Sequence, residues 1–400
     1  MLAAMVGMVG IIFGTGFMNG IFSLMLDGAI ESGLGHVQIR TKNYLETRKA
    51  GMAIEHPQRI KSQLEKIKYL KNHQVKYSAR FEREAMLKLD SNVQGVMTIG
   101  IDPSSEKKIS KFDEWLVKGS YLDKNRSKHD LQFNILPALI GEANAKKFEL
   151  EVNDTAIIAI GSFDGSPKST RIRIVGIYHS ISNAIDKSMV VLKREDLSRL
   201  YHGKKTSVSS FVFVAKELTE SGILKNLLKV ELNNKNIEVS SYKQLQPGLS
   251  KMIEMSGSFM GIFYLILMSG FALTLLNAIL MSVLDRTREI GVLMAIGTRR
   301  KIIFWMVVFE SEILAMIGSL AGLLAGGFIV LITNQSGFSL SSFAKGLELM
   351  AKTGTTIYPF LGVSDIFLGL GIAFLMSLLA SVYPAWKAIK MQPVKAIYNR

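Results

Sequence analysis

The 400-residue sequence contains no cysteine, which excludes a disulfide framework, a thiolate zinc site and a cysteine nucleophile. Its six histidines are isolated, and none belongs to an H-E-x-x-H pattern or to a pair at i and i+4 that would hold a metal ion. The sequence also lacks a G-x-S-x-G nucleophile elbow and a complete phosphate-binding loop. These absences predict a non-catalytic chain that binds no cofactor or metal and does not hydrolyse ATP by itself.

Nucleic-acid binding is a second class that the sequence argues against, although the formal net charge is +15. The basic residues are spread through mixed-charge stretches, without an arginine-rich arm or zinc-finger spacing. The polar region from 31 to 254 holds 37 basic and 26 acidic residues, a balance of +11. This excess favours contact with anionic surfaces or anionic partners.

Long apolar segments are abundant, since 48% of the residues are hydrophobic and the mean hydropathy is positive. A bilayer core needs about 20 consecutive, mostly apolar residues in a helix. Four segments meet this requirement: Met1 to Leu26, Phe259 to Leu284, Ile302 to Ile332 and Ile366 to Ala385. The first lacks the basic n-region of a signal peptide, so it is interpreted as a membrane anchor.

The sequence therefore predicts an α-helical membrane protein with four transmembrane helices and one large extracytoplasmic α+β domain. The predicted division is TM1 at 1–30, the extracytoplasmic domain at 31–254, TM2 at 255–284, a short cytoplasmic helix at 285–301, TM3 at 302–332, an outer loop at 333–361, TM4 at 362–385 and a cytoplasmic tail at 386–400. Short loops rich in Lys and Arg are retained in the cytoplasm, and both 285–301 and the tail are basic. The N-terminus is accordingly predicted inside and the large domain outside.

Alternating and amphipathic patterns in the polar region predict its mixed content of strands and helices. Strands are expected at 75–81, 93–101, 155–160, 172–176, 189–192 and 211–214. Helices are expected at 57–70, 137–148, 195–201 and 217–233. The turn residues Asp164 to Pro167 lie between two strand-like runs and predict a hairpin tip that projects into solvent.

Small and acidic residues within the predicted spans point to helix packing. The spaced glycines are Gly16 and Gly20 in the first span, and Gly318, Gly322 and Gly326 in the third. Such glycines let helices approach closely, and a second permease copy or TM2 could use the later set. Glu310 and Glu312 lie too deep for unpaired charge in hydrocarbon. We expect the third helix to extend into the cytosol, with Arg299 and Arg300 near enough to pair.

The segment from Arg286 to Arg300, R-T-R-E-I-G-V-L-M-A-I-G-T-R-R, lies between the second and third spans. It resembles the [EK]-R-x-x-E-I-G-x-L-x-A-x-G motif of FtsX/MacB-like ABC transporter permeases. Glu310 matches a glutamate that is usual in that family, and the ending from Tyr383 to Ile397 resembles the family's P-A-x-x-A-x-x-x-x-P-x-x-A-L pattern. The resemblance covers all four spans in order, and it implies that the outer region is a MacB-like periplasmic core.

The resemblance implies that 285–301 contains a coupling helix, seated in a nucleotide-binding subunit so that closure of the ATPase dimer moves the spans. The residues implied to couple the ATPase are Arg288, Glu289, Ile290, Gly291, Leu293, Ala295, Gly297 and Glu310. From helical spacing, Ile290, Leu293, Met294 and Gly297 form one apolar stripe that could lie in a groove. The alternative is a basic segment anchored at the lipid headgroups.

The outer region is similar to lipoprotein-releasing, Lol-type permeases in the segments G-H-V-Q-I at 35–39, V-G-I-Y at 175–178 and I-D-K-S at 185–188. A Lol-type permease implies an acylated lipoprotein that enters between TM1 and TM2. The residues expected along this substrate path are Met255, Phe259, Phe263 and Met268, and ordinary lipid-facing side chains are the alternative. A hairpin with Phe163, Pro167 and Arg171 is implied to contact a soluble carrier, with a plain surface turn as the alternative.

The implied assembly contains an ABC ATPase subunit dimer that binds ATP and Mg, a second permease copy or paralogue, a periplasmic carrier and lipoprotein cargo. It lies in a bacterial inner membrane, and no nucleic acid takes part. Two alternatives stay open: MacB-like efflux of peptides or amphiphiles, and FtsX-like signalling to a cell-wall hydrolase. The 224 residues of the outer region favour transport. The family has a basic stretch before TM1, whereas this chain begins within TM1, so the sequence leaves a truncated N-terminus open.

Overall fold

A computed structural model describes residues 1–47, 52–123, 126–161, 166–180, 183–202, 207–217, 220–339 and 356–390. The chain divides into a membrane unit, with Met1–Leu24 and the described residues from 252 onward, and a polar unit, Met25–Lys251. In the described part of the chain, four helices are long and apolar enough to cross a membrane, and the polar unit combines strands with short helices. The predicted fold class, a helical membrane protein with a large α+β domain, is confirmed.

The helices follow one another from the N-terminus as α1 (Leu2–Ala29), α2 (Tyr44–Thr47), α3 (Pro57–Leu64), α4 (Lys68–Asn72), α5 (Pro103–Glu106), α6 (Lys128–Gln132), α7 (Glu142–Lys147), α8 (Asn183–Ser188), α9 (Arg194–His202), α10 (Ser221–Leu232), α11 (Tyr242–Leu245), α12 (Pro247–Asp285), α13 (Thr287–Ala295), α14 (Arg300–Ser336) and α15 (Val363–Ile389). A π-helical turn, Ile30–Leu34, follows α1 directly. The helix that contains the second predicted span therefore begins at Pro247, before the apolar run.

The strands are β1 (Val37–Thr41), β2 (Lys76–Leu89), β3 (Asn92–Ile101), β4 (Leu116–Gly119), β5 (Leu136–Gly141), β6 (Thr155–Gly161), β7 (Pro167–Tyr178), β8 (Met189–Lys193), β9 (Ser210–Val214), β10 (Ile237–Ser241), β11 (Phe338–Ser339) and β12 (Thr356–Ile357). Among the described residues, the first ten form one sheet in the order β10-β1-β9-β2-β3-β8-β5-β7-β4, while β6 pairs with β2 and β7. Because β6 joins β2 to β7, six strands form a closed ring.

Alternating side chains fill the inside of this ring. In β6, Ala156, Ile158 and Ile160 are buried, whereas the residues between them are more exposed. Together with Leu87 of β2 and Ile172 of β7 they belong to one apolar core. A period of two residues is what a strand with one buried face requires, so the pattern in the sequence determines which face turns inward.

The long strand β2 connects the ring to the rest of the sheet. Its first half pairs with β9, and its second half pairs with β3 and β6. Beyond β9, strands β1 and β10 are covered by α3, α4 and α10, whose Ile60, Leu64 and Leu228 share a second apolar core with Phe211 of β9. These two cores meet along β2, and a third apolar core of the polar unit contains Phe112 and Tyr178.

Two predicted helices of the polar unit are wrong in part. The expected helix at 57–70 is divided into α3 and α4 by an extended residue, Ile67, although all four of its apolar positions are buried. The expected helix at 137–148 is instead the buried strand β5 followed by the short helix α7. A short apolar run that is buried on both faces has no distinguishing period, so periodicity alone could not separate strand from helix there.

The glycines of α14 form a packing face, as the sequence predicts, and the helix that uses it is α1 rather than TM2 or a second copy. A Cβ placed on Gly326 would lie 3.1 Å from Cβ of Ile12, and a Cβ on Gly318 or Gly322 would lie closer still to the first two turns of α1. Gly14 of α1 leaves a notch that Phe263 of α12 fills. A Cβ added to Gly14 would lie 2.7 Å from Cε1 of Phe263. Small residues thus set the contacts of α1 with two neighbouring helices.

The buried acid of α14 makes a contact with α15. Ser377 Oγ donates a hydrogen bond to Glu312 Oε2 at 2.6 Å, and Glu312 is only 8% exposed. Ordinary membrane helices avoid such carboxylates because hydrocarbon offers no water to solvate them. Glu312 is therefore hydrogen-bonded to a serine of the neighbouring helix, and no arginine pairs with it among the described residues.

Candidate coupling site

The short helix α13 is defined by signals at both ends. Arg286 separates α12 from α13, and Thr287 Oγ1 donates to Leu284 O at 2.6 Å at the end of α12. At the other end, Gly297 N–H donates to Met294 O at 3.1 Å, and Thr298 N–H donates to Leu293 O at 3.0 Å. This pair of hydrogen bonds is a Schellman motif, and it requires the positive φ of 93° that Gly297 adopts. The glycine of the motif therefore ends the helix.

The two faces of α13 differ in what they contact. Ile290, 4% exposed, packs with the apolar core of the membrane unit, and Leu293 and Met294 pack against the same core. On the other face, Val292 and Ile296 are 47% and 74% exposed. The expectation that the stripe with Ile290, Leu293 and Met294 lies in a partner's groove is therefore wrong, since that stripe contacts the chain's own helices.

The predicted coupling residues lie on different sides of this helix. Ile290 and Gly291 are buried, Leu293 is half-buried, and the exposed members are Arg288, Glu289, Ala295 and Gly297. Glu310 lies on α14, where its side chain reaches back toward the start of α13. The structure thus divides the predicted set into residues that seat α13 on the bundle and residues that are available to another molecule.

Arg286 joins three elements and was not among the predicted site residues. Its Nε donates to Glu289 Oε2 at 2.9 Å, and its Nη1 donates to Oε1 of Glu310 on α14. The expectation that Arg299 or Arg300 pairs with Glu310 is wrong, because Arg286 occupies that position. The spacing of Arg286 and Glu289 at i and i+3 was the signal in the sequence that could have identified the pair.

A cavity of 250 Å³ lies next to this ion-pair network. Its walls come from α12, α13 and α14, and they include Ile279, Leu293 and Leu314 together with Met1. Arg286, Glu289 and Glu310 line the same cavity. The ion pairs that join α13 to α14 therefore border an open space between α12, α13 and α14.

The predicted substrate-path residues all fall on α12, but they do not share one environment. Met255 and Phe259 are more than half exposed, whereas Phe263 packs into the notch at Gly14 of α1. Next to this notch, Tyr264 OH and Thr15 Oγ1 are 2.9 Å apart and share a hydrogen bond. The structure therefore places Phe263 in the contact between α1 and α12, and leaves Met255 and Phe259 on an open surface.

The predicted carrier-contact hairpin is described only in its strands. Phe163 lies outside the described residues, as do residues 391–397 of the C-terminal pattern. Pro167 pairs with Gly161 at the start of β7, and Arg171 pairs with Ile157 further along it. Both Pro167 and Arg171 are exposed, so their side chains are accessible at this edge of the ring.

Known proteins match the chain over different lengths. Residues 261–393 match the family described as FtsX-like permease C-terminal. The lipoprotein-releasing system transmembrane protein LolC of Xylella fastidiosa is 24% identical over 330 residues, which are 79% of this chain and 76% of the relative. The macrolide export ATP-binding/permease protein MacB of Syntrophobacter fumaroxidans is 32% identical over 113 residues, which are 28% of this chain and 13% of the relative.

Among solved structures, the extracellular domain of the noncanonic ABC-type transporter YknZ from Gram-positive bacteria covers 51% of this chain and 99% of its own length. That similarity has a TM-score of 0.31 and 11% sequence identity. The four long apolar helices and the relatives together indicate a bacterial inner-membrane protein. The matched segment contains α13, the Arg286–Glu310 contact and the last two spans. The chain is an ABC transporter permease of the FtsX, MacB and LolC type.

Proposed function

We propose that this chain is the permease subunit of an ABC exporter that extracts lipoproteins from the inner membrane and passes them to a periplasmic carrier. The observation that carries the proposal is the length of the match to LolC, 330 aligned residues. The membrane unit is too short to supply that many residues, so the match includes much of the polar unit. The MacB match spans 113 residues and gives no comparable support for efflux.

In this proposal, a separate ABC ATPase dimer binds ATP and Mg, and the permease binds neither directly. The partner contacts the exposed face of α13, where Arg288 and Ala295 accompany the exposed apolar side chains of Val292 and Ile296. Apolar side chains that are exposed on a short helix suit insertion into a groove of a partner. The face that reaches the ATPase is thus the one opposite Ile290.

Movement of α13 reaches the membrane unit by two routes. Ile290 and Leu293 press on the apolar core of the bundle, and Arg286 holds Glu289 and Glu310 together across α13 and α14. Packed side chains and ion pairs of this kind transmit a displacement only if both elements move together. ATP-driven closure of the partner would therefore shift α14, and with it α1, which packs on the glycines of α14.

On the outer side, we assign the polar unit to the periplasm, with the carrier contacting the hairpin near Pro167 and Arg171. The lipoprotein acyl chains would enter beside α12, where Met255 and Phe259 are exposed and Phe263 closes the contact with α1. Flexible methionine and flat aromatic side chains adapt to acyl chains of different shape. A second permease copy or a paralogue would complete the transport path.

The experiment that tests the proposal is purification of the chain from its native membrane in detergent, followed by mass spectrometry of everything retained. We expect an ABC ATPase and acylated lipoproteins. Proteoliposomes with the purified complex should then release a labelled lipoprotein to a soluble acceptor only when ATP and Mg are present. An ATPase retained with a cell-wall hydrolase, or release of small amphiphiles without lipoproteins, would contradict the proposal and favour signalling or efflux.

A further inference from the structure

A cavity of 400 Å³ is lined entirely by residues of the polar unit. It is bordered by α3, the first strand residues of β2, the turn after α5 and the start of α9. Its volume falls within the range of pockets that hold small ligands, about 300–1,000 Å³. The contribution of four separate elements makes it a property of the tertiary fold rather than of one loop.

The lining of this cavity is strongly basic. Lys61, Lys76, Lys108 and Arg194 each come from a different element, and Asp102 is the single carboxylate among the lining residues. Asp102 Oδ1 is already engaged, since it accepts hydrogen bonds from the Ser104 N–H at 3.1 Å and the Ser104 hydroxyl at 2.7 Å. The cationic charge around the cavity is therefore not balanced by the cavity's own residues.

The four cations are also without carboxylate partners elsewhere in the part of the chain that the structure describes. Other basic residues of the same unit, such as Lys111 and Arg173, make ion pairs with neighbouring acids. Arg194 additionally has a buried Nε–H with no hydrogen-bond acceptor among the described residues. A buried N–H without an acceptor costs free energy, so a ligand oxygen that accepted from Arg194 would be stabilised there.

The rest of the cavity wall is aromatic and apolar. Phe211 and Val75 line it together with the ring of Tyr77, which stacks on Phe213 at a centroid distance of 5.4 Å. Ser78 and Ser105 add hydroxyl groups that lie 2.8 Å apart. Cations, hydroxyl donors and an apolar wall in one cavity suit a ligand with a compact anion and a short apolar part.

We propose that this cavity binds a terminal phosphate group, as in a phosphate monoester or free phosphate, rather than the phosphodiester of a zwitterionic lipid. A phosphate monoester carries a charge of about −1.5 to −2 and several acceptor oxygens, which matches several cations better than a single carboxylate would. The phosphate could belong to a lipid headgroup or to free phosphate, and both offer the same chemistry. The site is independent of the lipoprotein proposal, since it involves neither α12 nor α13.

The test is calorimetric titration of the full-length chain in detergent with three probes: inorganic phosphate, dihexanoyl phosphatidic acid and dihexanoyl phosphatidylcholine. We expect saturable binding of phosphatidic acid that weakens as salt is added, because screening reduces charge attraction. The Lys61→Gln/Lys108→Gln variant should bind it at least about tenfold more weakly, as expected when charge-assisted hydrogen bonds are removed. The Lys225→Gln/Lys229→Gln variant carries the same charge change on α10, outside the cavity, and should retain affinity within about twofold.

The probes also separate the two sources of phosphate. Phosphatidic acid bound more tightly than inorganic phosphate supports a lipid headgroup, and equal affinity supports a free anion; either result supports the site. The proposal is overturned if neither anionic probe binds saturably. It is also overturned if phosphatidylcholine binds as tightly as phosphatidic acid, or if both pairs of lysine substitutions weaken binding equally.

Discussion

At the scale of single residues, Arg286 is the side chain that links the candidate coupling helix to the membrane unit. It contacts Glu289 and Glu310 at once, and all three side chains are partly exposed to solvent. Exposed ion pairs contribute about 0–1 kcal/mol to folding. The contact therefore matters for transmitting displacement rather than for holding the fold together.

We predict that Arg286→Ala uncouples ATP hydrolysis by the partner from transport. The apparent melting temperature should stay close to that of the parent, since the lost pairs are exposed. Without the arginine, α13 can shift while Glu310 and α14 stay in place. Transport per ATP hydrolysed in proteoliposomes, measured together with the apparent melting temperature, distinguishes uncoupling from unfolding.

The matched control is Arg299→Ala, which removes an exposed arginine near the same helix. The structure pairs Glu310 with Arg286, so Arg299→Ala should leave transport per ATP unchanged. A double variant, Arg286→Ala with Glu310→Ala, should be no worse than either single variant, because both remove the same contact. Additive losses, or an Arg299→Ala variant as defective as Arg286→Ala, would count against the assignment.

The sequence of the coupling motif predicted some features of α13 and missed others. Helical spacing correctly identified a short amphipathic helix, but it placed Gly297 within the apolar stripe, whereas Gly297 lies just beyond the end of the helix. It assigned the apolar stripe to a partner, since one sequence cannot say whether an apolar face packs on its own chain or on another. The packing of Ile290 and the long-range contact of Arg286 required tertiary structure.

At the scale of whole elements, the contact between α1 and α14 depends on three glycines at four-residue spacing. Each lies against the backbone or the Cβ atoms of α1, so a larger side chain has no space. Helices in a membrane gain association mainly from close packing of this kind. The first and third spans therefore form a pair that side-chain volume controls.

We predict that Gly322→Val separates α1 from α14 and lowers the apparent melting temperature of the solubilised chain. Overpacking of a close contact costs about 1–3 kcal/mol. Gly327→Val is the matched control, because a Cβ at Gly327 meets nothing within 4 Å. Equal destabilisation by the two substitutions would show that valine propensity, rather than the contact with α1, causes the effect.

A second element-scale prediction concerns the polar contact between α14 and α15. Ser377→Ala removes the hydrogen bond to Glu312, and we expect it to destabilise the chain by about 0.6–1.7 kcal/mol, the range for such bonds in membranes. Ser381→Ala is the control, since the Ser381 hydroxyl donates only to Leu378 O of its own helix. Thermal unfolding of both variants in the same detergent makes the comparison, and an equal effect would contradict the prediction.

The secondary structure of the polar unit could be predicted from the sequence where an element has one buried face and one solvent-exposed face. The alternation in β6 identified a strand, whereas β5 is buried throughout and was interpreted as part of a helix. Its parallel pairing with β7 and antiparallel pairing with β8 involve segments far apart in sequence. Residue propensities and the two-residue period of hydrophobicity therefore predicted the half-exposed strands better than the fully buried strand β5.

At the scale of the whole molecule, the membrane spans and the sheet differ in how far local sequence specifies them. Length and apolar composition suffice for a span, because hydrocarbon requires every backbone group to be bonded within the helix. The sheet instead pairs β1 with β9 and β10, which both lie more than 150 residues further along the chain. The basic excess of the polar region was visible in the sequence, but its concentration around one cavity was not.

The polar unit also contains a buried ion pair between β1 and β2, and this pair makes the stability of the unit depend on pH. Arg40 Nη2 of β1 donates to both carboxylate oxygens of Glu82 on β2, at 3.0 and 2.8 Å. Burial by itself would raise the pKa of Glu82, but the guanidiniums of Arg40 and Arg80 and hydrogen bonds from Arg40 and Ser210 lower that pKa below its usual value. The folded state therefore holds this carboxylate ionised more strongly than the unfolded state does.

Because the folded pKa lies below the unfolded one, the stabilisation from Glu82 is complete above the usual carboxyl pKa of 4.5 and is lost as the pH falls through the lowered value. We predict that Glu82→Gln is less stable than the parent by about 3 kcal/mol at pH 7, since it leaves Arg40 buried without its counter-ion. The variant should also lose less stability than the parent on acidification below pH 4.5. Fluorescence of Trp115, in a background with Trp305→Phe and Trp386→Phe, reports unfolding of the polar unit alone.

Glu84 provides the control for this prediction, because it lies on the same strand, is exposed and makes no ion pair in the described part of the chain. Glu84→Gln should leave both the stability at pH 7 and the acid response close to the parent. If the two substitutions shift the acid transition equally, general charge rather than the Arg40–Glu82 pair controls it. If only Glu82→Gln acts, the pair that joins β1 to β2 is an acid-sensitive connection between strands far apart in sequence, and acid should release β1 from β2 before the ring of six strands opens.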